Sequence, residues 1–310
     1  MGWIWLAVLG QFLNAIVAIL DKYIVSDDTA IPRPFVYAFY SCLLAGVWLF
    51  IFAFSAVPIT SGLGMPQIDR VTIPSLEIVA MAFLAAYAFF LALVSMFDAL
   101  KHDTPSNVLP VVGAVAAIAS LGLNYLFLDA SLSENYLLGI ALLAIGTLLV
   151  SQASFNQALI LMTVHSGIFF ALHLVTMKGL FEMTNFDNAF FWSRIALVLF
   201  ALSLLLVPAY LKKIRKGTEQ TTRQSGVIVL VTKFIAGVAA FLLLKATDWG
   251  DVSVVQALDG LKFIFILFLS YVVTLWVPRL ETERGMKPRD VIRKVMYVMI
   301  IAIGFSLLFI

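Results

Sequence analysis

The sequence predicts an all-α integral membrane protein of ten transmembrane helices, arranged as two inverted five-helix repeats. Three observations carry that expectation. Apolar residues fill 62% of the 310 positions and charged residues only 12%, against about 45–50% and about 25% in soluble domains, and the mean hydropathy is +1.03. Runs long enough to cross a bilayer, which takes about 20 apolar residues in a helix, follow one another along the whole chain. Short stretches of the first half recur in the second. The composition excludes soluble enzymes, secreted disulfide scaffolds, disordered chains and nucleic-acid binders, and the single cysteine, Cys42, leaves no intrachain disulfide or thiolate metal cluster to form.

The first span, 3–25, has no basic residue ahead of it and no small-residue cleavage site, so it reads as a retained helix and not a signal peptide. The second covers 35–56 and is followed by a turn-rich loop carrying Pro58, Gly62, Gly64, Pro66 and Pro74. The third and fourth cover 76–98 and 106–128, with Pro110 either kinking the fourth or sitting in its first turn. The remaining spans are 134–151, 158–178, 187–209, 226–245, 252–276 and 294–310, with basic loops at 210–225 and 277–294. Trp3, Trp5, Trp249 and Trp276 fall at span ends, where an amphipathic indole prefers the headgroup region, whereas Trp48 and Trp192 lie deeper. A transmembrane barrel would need alternating segments; runs such as GVIVLVTKFIAGVAAFLLL are apolar on every face.

Two matches suggest the repeat. ALKHDTPSNV at 99–108 aligns with ATDWGDVSVV at 246–255 through Ala99 and Ala246, Ser106 and Ser253, Val108 and Val255; ILDKYIV at 19–25 aligns with VTMKGLF at 175–181 through Lys22 and Lys178. The units are then 1–151 and 158–310, and an odd number of spans in each inverts the second copy, a design found in many secondary transporters. Fourteen of the twenty lysines and arginines fall on one side of this topology and only Arg70, Lys178 and Lys245 on the other, which by the positive-inside rule places the odd-numbered loops in the cytoplasm and both termini outside.

ILDKYIV after the first span, NVLPVVGAV followed by LFLDASLSENYLLGIALLAIGTLLV, and DVSVVQALDGLKFIF followed by KVMYVMIIAIGFSLLF at the end together resemble the EamA family of the drug/metabolite transporter superfamily over essentially the whole chain. The family's usual glutamate in the turn before the fifth helix has only Asp129 and Glu134 as counterparts here. The resemblance implies two five-helix repeats and a secondary transporter of small metabolites in the plasma (inner) membrane, working by alternating access.

A charge at the bilayer centre costs about 2.5–3.5 kcal/mol on insertion scales, so it must be paired or must line water. Arg194, Lys233, Asp259 and Lys262 are such charges, all in the second half; the positions matching Asp259 and Lys262 in the first are Val112 and Val115. Asp259 and Lys262 are three apart and can pair along a helix, with Gln256 and Ser270 on the same stripe and Gly260 permitting close packing. Arg194 and Lys233 have no partner within one turn. Three positive charges against one negative leave a surplus of two, which suits a carboxylate- or phosphate-bearing substrate held by Arg194, Lys233 and Lys262, with Asp259 orienting Lys262 or carrying a proton. In the first span Gln11, Asn14 and Asp21 share a broad face; Asn14 is the substrate-binding candidate, and Asp21, near the aqueous end, pairs with Lys22 or water on this reading. His165 and His173 are proton-coupling candidates because imidazole titrates near neutrality. Tyr87 and Trp192 could stack on a substrate, and each of these residues also has a plain packing role open to it.

No HExxH, GxSxG, Walker or CxxC motif is present, so neither an enzyme, a cofactor nor a metal site is expected. The expected partners are a small-molecule substrate and the lipid bilayer, not nucleic acid, and a monomer is compatible with the design. Two other functions stay open at this point. A lipid-headgroup flippase or binding protein would have a cavity open sideways to lipid; a membrane scaffold without transport would have all four intramembrane charges paired together and no cavity.

Overall fold

A computed structural model of the protein describes residues 2–27, 30–31, 33–56, 65–128, 134–150 and 157–276, with Met296, Ile300, Ile303 and Gly304 beyond them. The expected tenth span and Asp129 therefore lie outside the described residues, those four positions apart, as does the side chain of Ser270. Every long element among the described residues is helical: α1 (Gly2–Ser26), α2 (Pro34–Leu44) continued by a 3₁₀ stretch (Ala45–Ala56), α3 (Leu76–His102), α4 (Pro105–Phe127), α5 (Glu134–Val150), α6 (Gln157–Met183), α7 (Phe186–Leu204), α8 (Pro208–Glu219), α9 (Arg223–Trp249), α10 (Val252–Ala257) and α11 (Asp259–Trp276). Among the described residues, seven segments are long and apolar enough to cross a membrane: α1, Pro34–Ser55, α3, α4, α6, α7 and α9. The fold is thus that of an all-α, multi-pass membrane protein.

Local chemistry sets the helix ends. Ser75 Oγ accepts from the Ile78 N–H at 3.3 Å to open α3, and the Asn185 side chain accepts from the Asn188 N–H at 2.9 Å to open α7; each satisfies an amide that the helix leaves without a partner. Pro34, Pro105 and Pro208 stand in first turns, where the missing N–H costs nothing. Pro105 takes the first-turn role in α4, which leaves Pro110 inside that helix. Pro208 also corrects the seventh span: α7 stops at Leu204, and the basic loop expected from 210 begins instead with α8, because proline cannot continue one helix but suits the start of the next. The ninth span is interrupted at Leu258, where Asp259 and Gly260, poor residues for a helix interior, restart the helix as α11.

α3 packs chiefly on α6 and α1 on α9, with α4 lying against both α6 and α10. Glycines let the backbones approach, as small residues do between membrane helices: a Cβ on Gly167 of α6 would come within 2.7 Å of the Val112 carbonyl oxygen of α4. Tyr37, Phe97, Phe190 and Phe263 are wholly buried, whereas Phe50, Phe54, Tyr125 and Phe234 face outward, as a lipid-facing surface allows. Lysines tie helix ends together. Lys22 Nζ donates to the carbonyl oxygens of Leu100 at 2.7 Å and Asp103 at 3.0 Å, at the end of α3; Lys178 Nζ donates to the Asp248 carbonyl at 3.0 Å, at the end of α9. Cations suit these carbonyl-rich termini.

Candidate functional site: a charged cavity in the bundle

A cavity of about 220 Å³ lies in the middle of the bundle. Its walls come from both halves of the chain: α1, α2, the 3₁₀ stretch, α3 and α4 on one side, and α6, α7, α9, α10 and α11 on the other. Most of the lining is apolar, with Trp48, Phe89, Phe97 and Phe170 among its rings. Trp48 fits because residue 237 lacks a side chain; a Cβ on Gly237 would collide with the indole Nε1.

Of the residues expected from sequence, Asn14, His173, Arg194, Lys233, Gln256, Asp259 and Lys262 all line this cavity. Tyr87 and His165 do not. Tyr87 is 46% exposed and meets Phe169 and Phe200 edge-on, and His165, on the exposed side of α6, shares a 2.7 Å hydrogen bond with Ser95 Oγ. Both belong to outward helix faces, a distinction that the nearly uniform apolarity of α3 and α6 hides in the sequence. Trp192 is likewise engaged elsewhere: its Nε1 donates to the Thr72 carbonyl at 2.9 Å, while the Thr72 N–H donates to Asn188 Oδ1 at 3.0 Å, so the segment before α3 is strapped to α7.

Asp21 is the residue whose role changes most. It is buried, and its partner is Lys233 at 3.1 Å, 212 positions away, instead of Lys22, which is spent on carbonyls at the end of α3. Tyr37 Oη also donates to Asp21 Oδ1. The Lys233 ammonium sits 3.8 Å from the centre of the Tyr37 ring and 4.9 Å from that of Phe97, near enough for cation–π attraction. The signal for Asp21 is the stripe Gln11, Asn14, Ala18, Asp21 on one face of α1, every member of which lines the cavity.

Lys262 pairs with Asp259 as their spacing suggests, reaching both carboxylate oxygens at 2.7 and 2.8 Å. Gly113 makes room for that pair, since a Cβ there would stand 2.6 Å from Asp259 Oδ2. Arg194 differs from both lysines. It is 5% exposed and its carbon Cζ lies 5.0 Å from the centre of the Phe190 ring; among the described residues its Nε has no hydrogen-bond partner and no carboxylate lies within ion-pair distance. Among the described residues the cavity thus holds three cations, Arg194, Lys233 and Lys262, against two anions, Asp21 and Asp259, so their formal surplus is one positive charge and not the two that the spans alone suggest.

The other polar groups complete the inventory. His173 Nδ1 lies 2.9 Å from the Ala85 carbonyl oxygen; a carbonyl only accepts, so Nδ1 carries a proton and donates it there. Gln256 Nε2 donates to the Phe170 carbonyl at 3.5 Å, and Gln11 Oε1 is buried without a donor among the described residues. Buried polar atoms are nearly always satisfied, and the Arg194 Nε and Gln11 Oε1 atoms stand out as two that find no partner among the described residues.

No family model matches the chain, and no curated protein matches it. Solved structures do. One, described as "Crystal structure of protein", aligns over 97% of this chain and 97% of its own with a TM-score of 0.61 at 15% sequence identity, a likeness of fold alone.

Proposed function

We propose that the protein is a secondary transporter carrying a small metabolite with one anionic group, by alternating access between two inverted five-helix repeats, 1–151 and 158–310, of the EamA kind in the plasma (inner) membrane. The observation that carries the reading is Arg194: a buried guanidinium without a counter-ion among the described residues, in a cavity walled by both halves of the chain. A desolvated unpaired cation is costly to keep, and a carboxylate or similar anion fits its planar donor fork.

Support for the repeat comes from its two separate sequence matches, which meet in space. Lys22 ends the first helix of its half and reaches the carbonyls closing the third; Lys178 holds the corresponding place and does the same. The matched residues Ala99, Ser106 and Val108 and their partners Ala246, Ser253 and Val255 are all buried. The pairing of α3 with α6 and of α1 with α9 is one contact, third helix of one half on first helix of the other, made twice. The scaffold alternative requires every intramembrane charge to be paired and no cavity to exist, and Arg194 in its cavity argues against both.

The test is a thermal-shift screen of the purified protein against organic monoanions, dianions, amines and neutral solutes, followed by flux of the hits into proteoliposomes. Specific binders raise the midpoint by mass action. Monoanions are expected to stabilise the wild type, and Arg194→Gln to weaken their binding by about 10- to 150-fold, the worth of a charged hydrogen bond; Lys262→Gln, which removes a cation already neutralised, should cost less. Stabilisation only by amines or neutral solutes, or monoanion binding that Arg194→Gln leaves intact, would sink the reading.

A further inference from the structure

We propose that Asp21 is a proton-binding site linked to anion binding in the cavity, so that anion and proton cross together. This rests on the transport reading above. Two donors from different elements converge on one carboxylate oxygen, Tyr37 Oη from α2 and Lys233 Nζ from α9. The side chains of the ion pair are 4% and 8% exposed, and both border the cavity. The pair also joins the two halves of the chain, unlike Asp259 and Lys262 on their shared helix.

An anion held by Arg194 brings a second negative charge into a space where the Lys233 charge already answers one. Away from bulk water, the bound anion and the Asp21 carboxylate still repel each other across the one cavity that both border, and a proton on Asp21 removes one of the two negative charges. Lys233, with three N–H donors, can then turn toward the anion while Tyr37 still hydrogen-bonds the neutral carboxyl. By linkage, the factor by which the anion favours the proton is the factor by which the proton favours the anion. The step balances simply: a proton from water on the entry side adds to the Asp21 carboxylate as the anion binds, and both leave to the exit side. A monoanion and a proton together also leave the formal charge of the loaded cavity where it stood when empty.

The surrounding groups single out Asp21. On its own helix Lys22 is turned to the Leu100 and Asp103 carbonyls. From α3, the Asp103 carboxylate accepts from the Thr104 N–H and Asn107 Nδ2, and Asp98 pairs with His102 on the exposed side. α2 contributes Tyr37 and the buried Cys42, α6 His173, whose Nδ1 is committed to the Ala85 carbonyl, α7 Arg194 and α9 Lys233. The cavity lining of α4 is Leu109, Val112, Gly113 and Ala116, without an ionisable group. On α11, Asp259 has both oxygens on Lys262 and stands at the helix start, where amide dipoles favour its anion.

The test is infrared difference spectroscopy of the full-length protein in lipid nanodiscs, titrated between about pH 4 and 9, with and without benzoate as a monoanionic probe. The wild type should show a protonated-carboxyl band that grows as pH falls and is enlarged by benzoate at fixed pH. Asp21→Asn should lack the band and Asp259→Asn should keep it. Because Asp21→Asn leaves Lys233 buried without a counter-ion, the double variant Asp21→Asn/Lys233→Gln is measured beside it and should lack the band too. A wild type with no titrating band, or a band that survives in both Asp21 variants, overturns the proposal. A band assigned to Asp21 but indifferent to benzoate overturns the linkage, while the transport reading still stands or falls on the thermal-shift screen and flux.

Discussion

Lys233 shows how a buried charge is identified by the residue that answers it. Its partner Asp21 lies 212 positions away on another helix, and sequence spacing cannot show such a pair, whereas Asp259 and Lys262, three apart, are legible as neighbours from helical periodicity. Removing one member of a buried pair leaves the other uncompensated, at about 3–5 kcal/mol, and removing both costs much less. Asp21→Asn and Lys233→Met should therefore each lower the unfolding midpoint, with Asp21→Asn/Lys233→Met destabilised by less than the sum. A double-mutant cycle on thermal midpoints measures this; strict additivity would mean that the two groups do not interact. The stripe on α1 shows what is readable at this scale. Helical periodicity alone puts Gln11, Asn14 and Asp21 on one face, and that face borders the cavity. Periodicity does not tell what covers a helix face, which is why the sequence offers Asp21 only Lys22 or water as partners and offers Tyr87 to a substrate, whereas Asp21 meets Lys233 and Tyr87 faces outward.

At the scale of elements, hydropathy marks the helices well where a turn residue or a cap punctuates them and poorly where the backbone changes type within an apolar run. Nothing in AGVWLFIFAFSA distinguishes a 3₁₀ stretch from an α-helix by composition, yet that is how residues 45–56 are wound. The helix contacts depend on glycines whose neighbours only the fold reveals. Gly167→Ala would push a methyl group to 2.7 Å from the Val112 carbonyl oxygen, a backbone atom that cannot swing aside, whereas Gly122, with nothing within 4 Å of its would-be Cβ, has room. Gly167→Ala should therefore destabilise by about 1–3 kcal/mol, the usual penalty of overpacking, and Gly122→Ala should be neutral or slightly stabilising through helix propensity. Paired denaturation curves check this, and equal effects at the two sites would refute the packing argument.

For the whole molecule, composition and run length suffice for an all-α membrane protein, since no soluble interior could absorb so much apolar surface. The cavity is not legible in the sequence, because its walls come from ten elements and its charge depends on Asp21 joining from the first half. Orientation rests on the asymmetry of basic residues and has its own consequence. Cys42, the sole cysteine, is fully buried, so the wild type should give almost no background with a membrane-impermeant maleimide. In intact cells Lys216→Cys, on the basic face, should label only after permeabilisation, whereas Asp69→Cys, on the opposite face, should label at once. The reverse pattern would place both termini in the cytoplasm.

The 3₁₀ stretch also bears on reach. At about 2.0 Å of rise per residue its twelve residues extend about 24 Å, where an α-helix at about 1.5 Å would extend about 18 Å. Val47, Phe50 and Ala53 are exposed at steps of three, as threefold winding allows, with Phe54 exposed beside Ala53. Relaxing this stretch to α would draw its far end in by about 6 Å and turn Phe50 away from Val47 by about 60°, the difference between three residues at about 120° and at about 100°. Trp48, seated on Gly237 at the cavity wall, would be carried with it, so the winding of one half-span sets both how far that segment extends and where an indole stands against the central chamber.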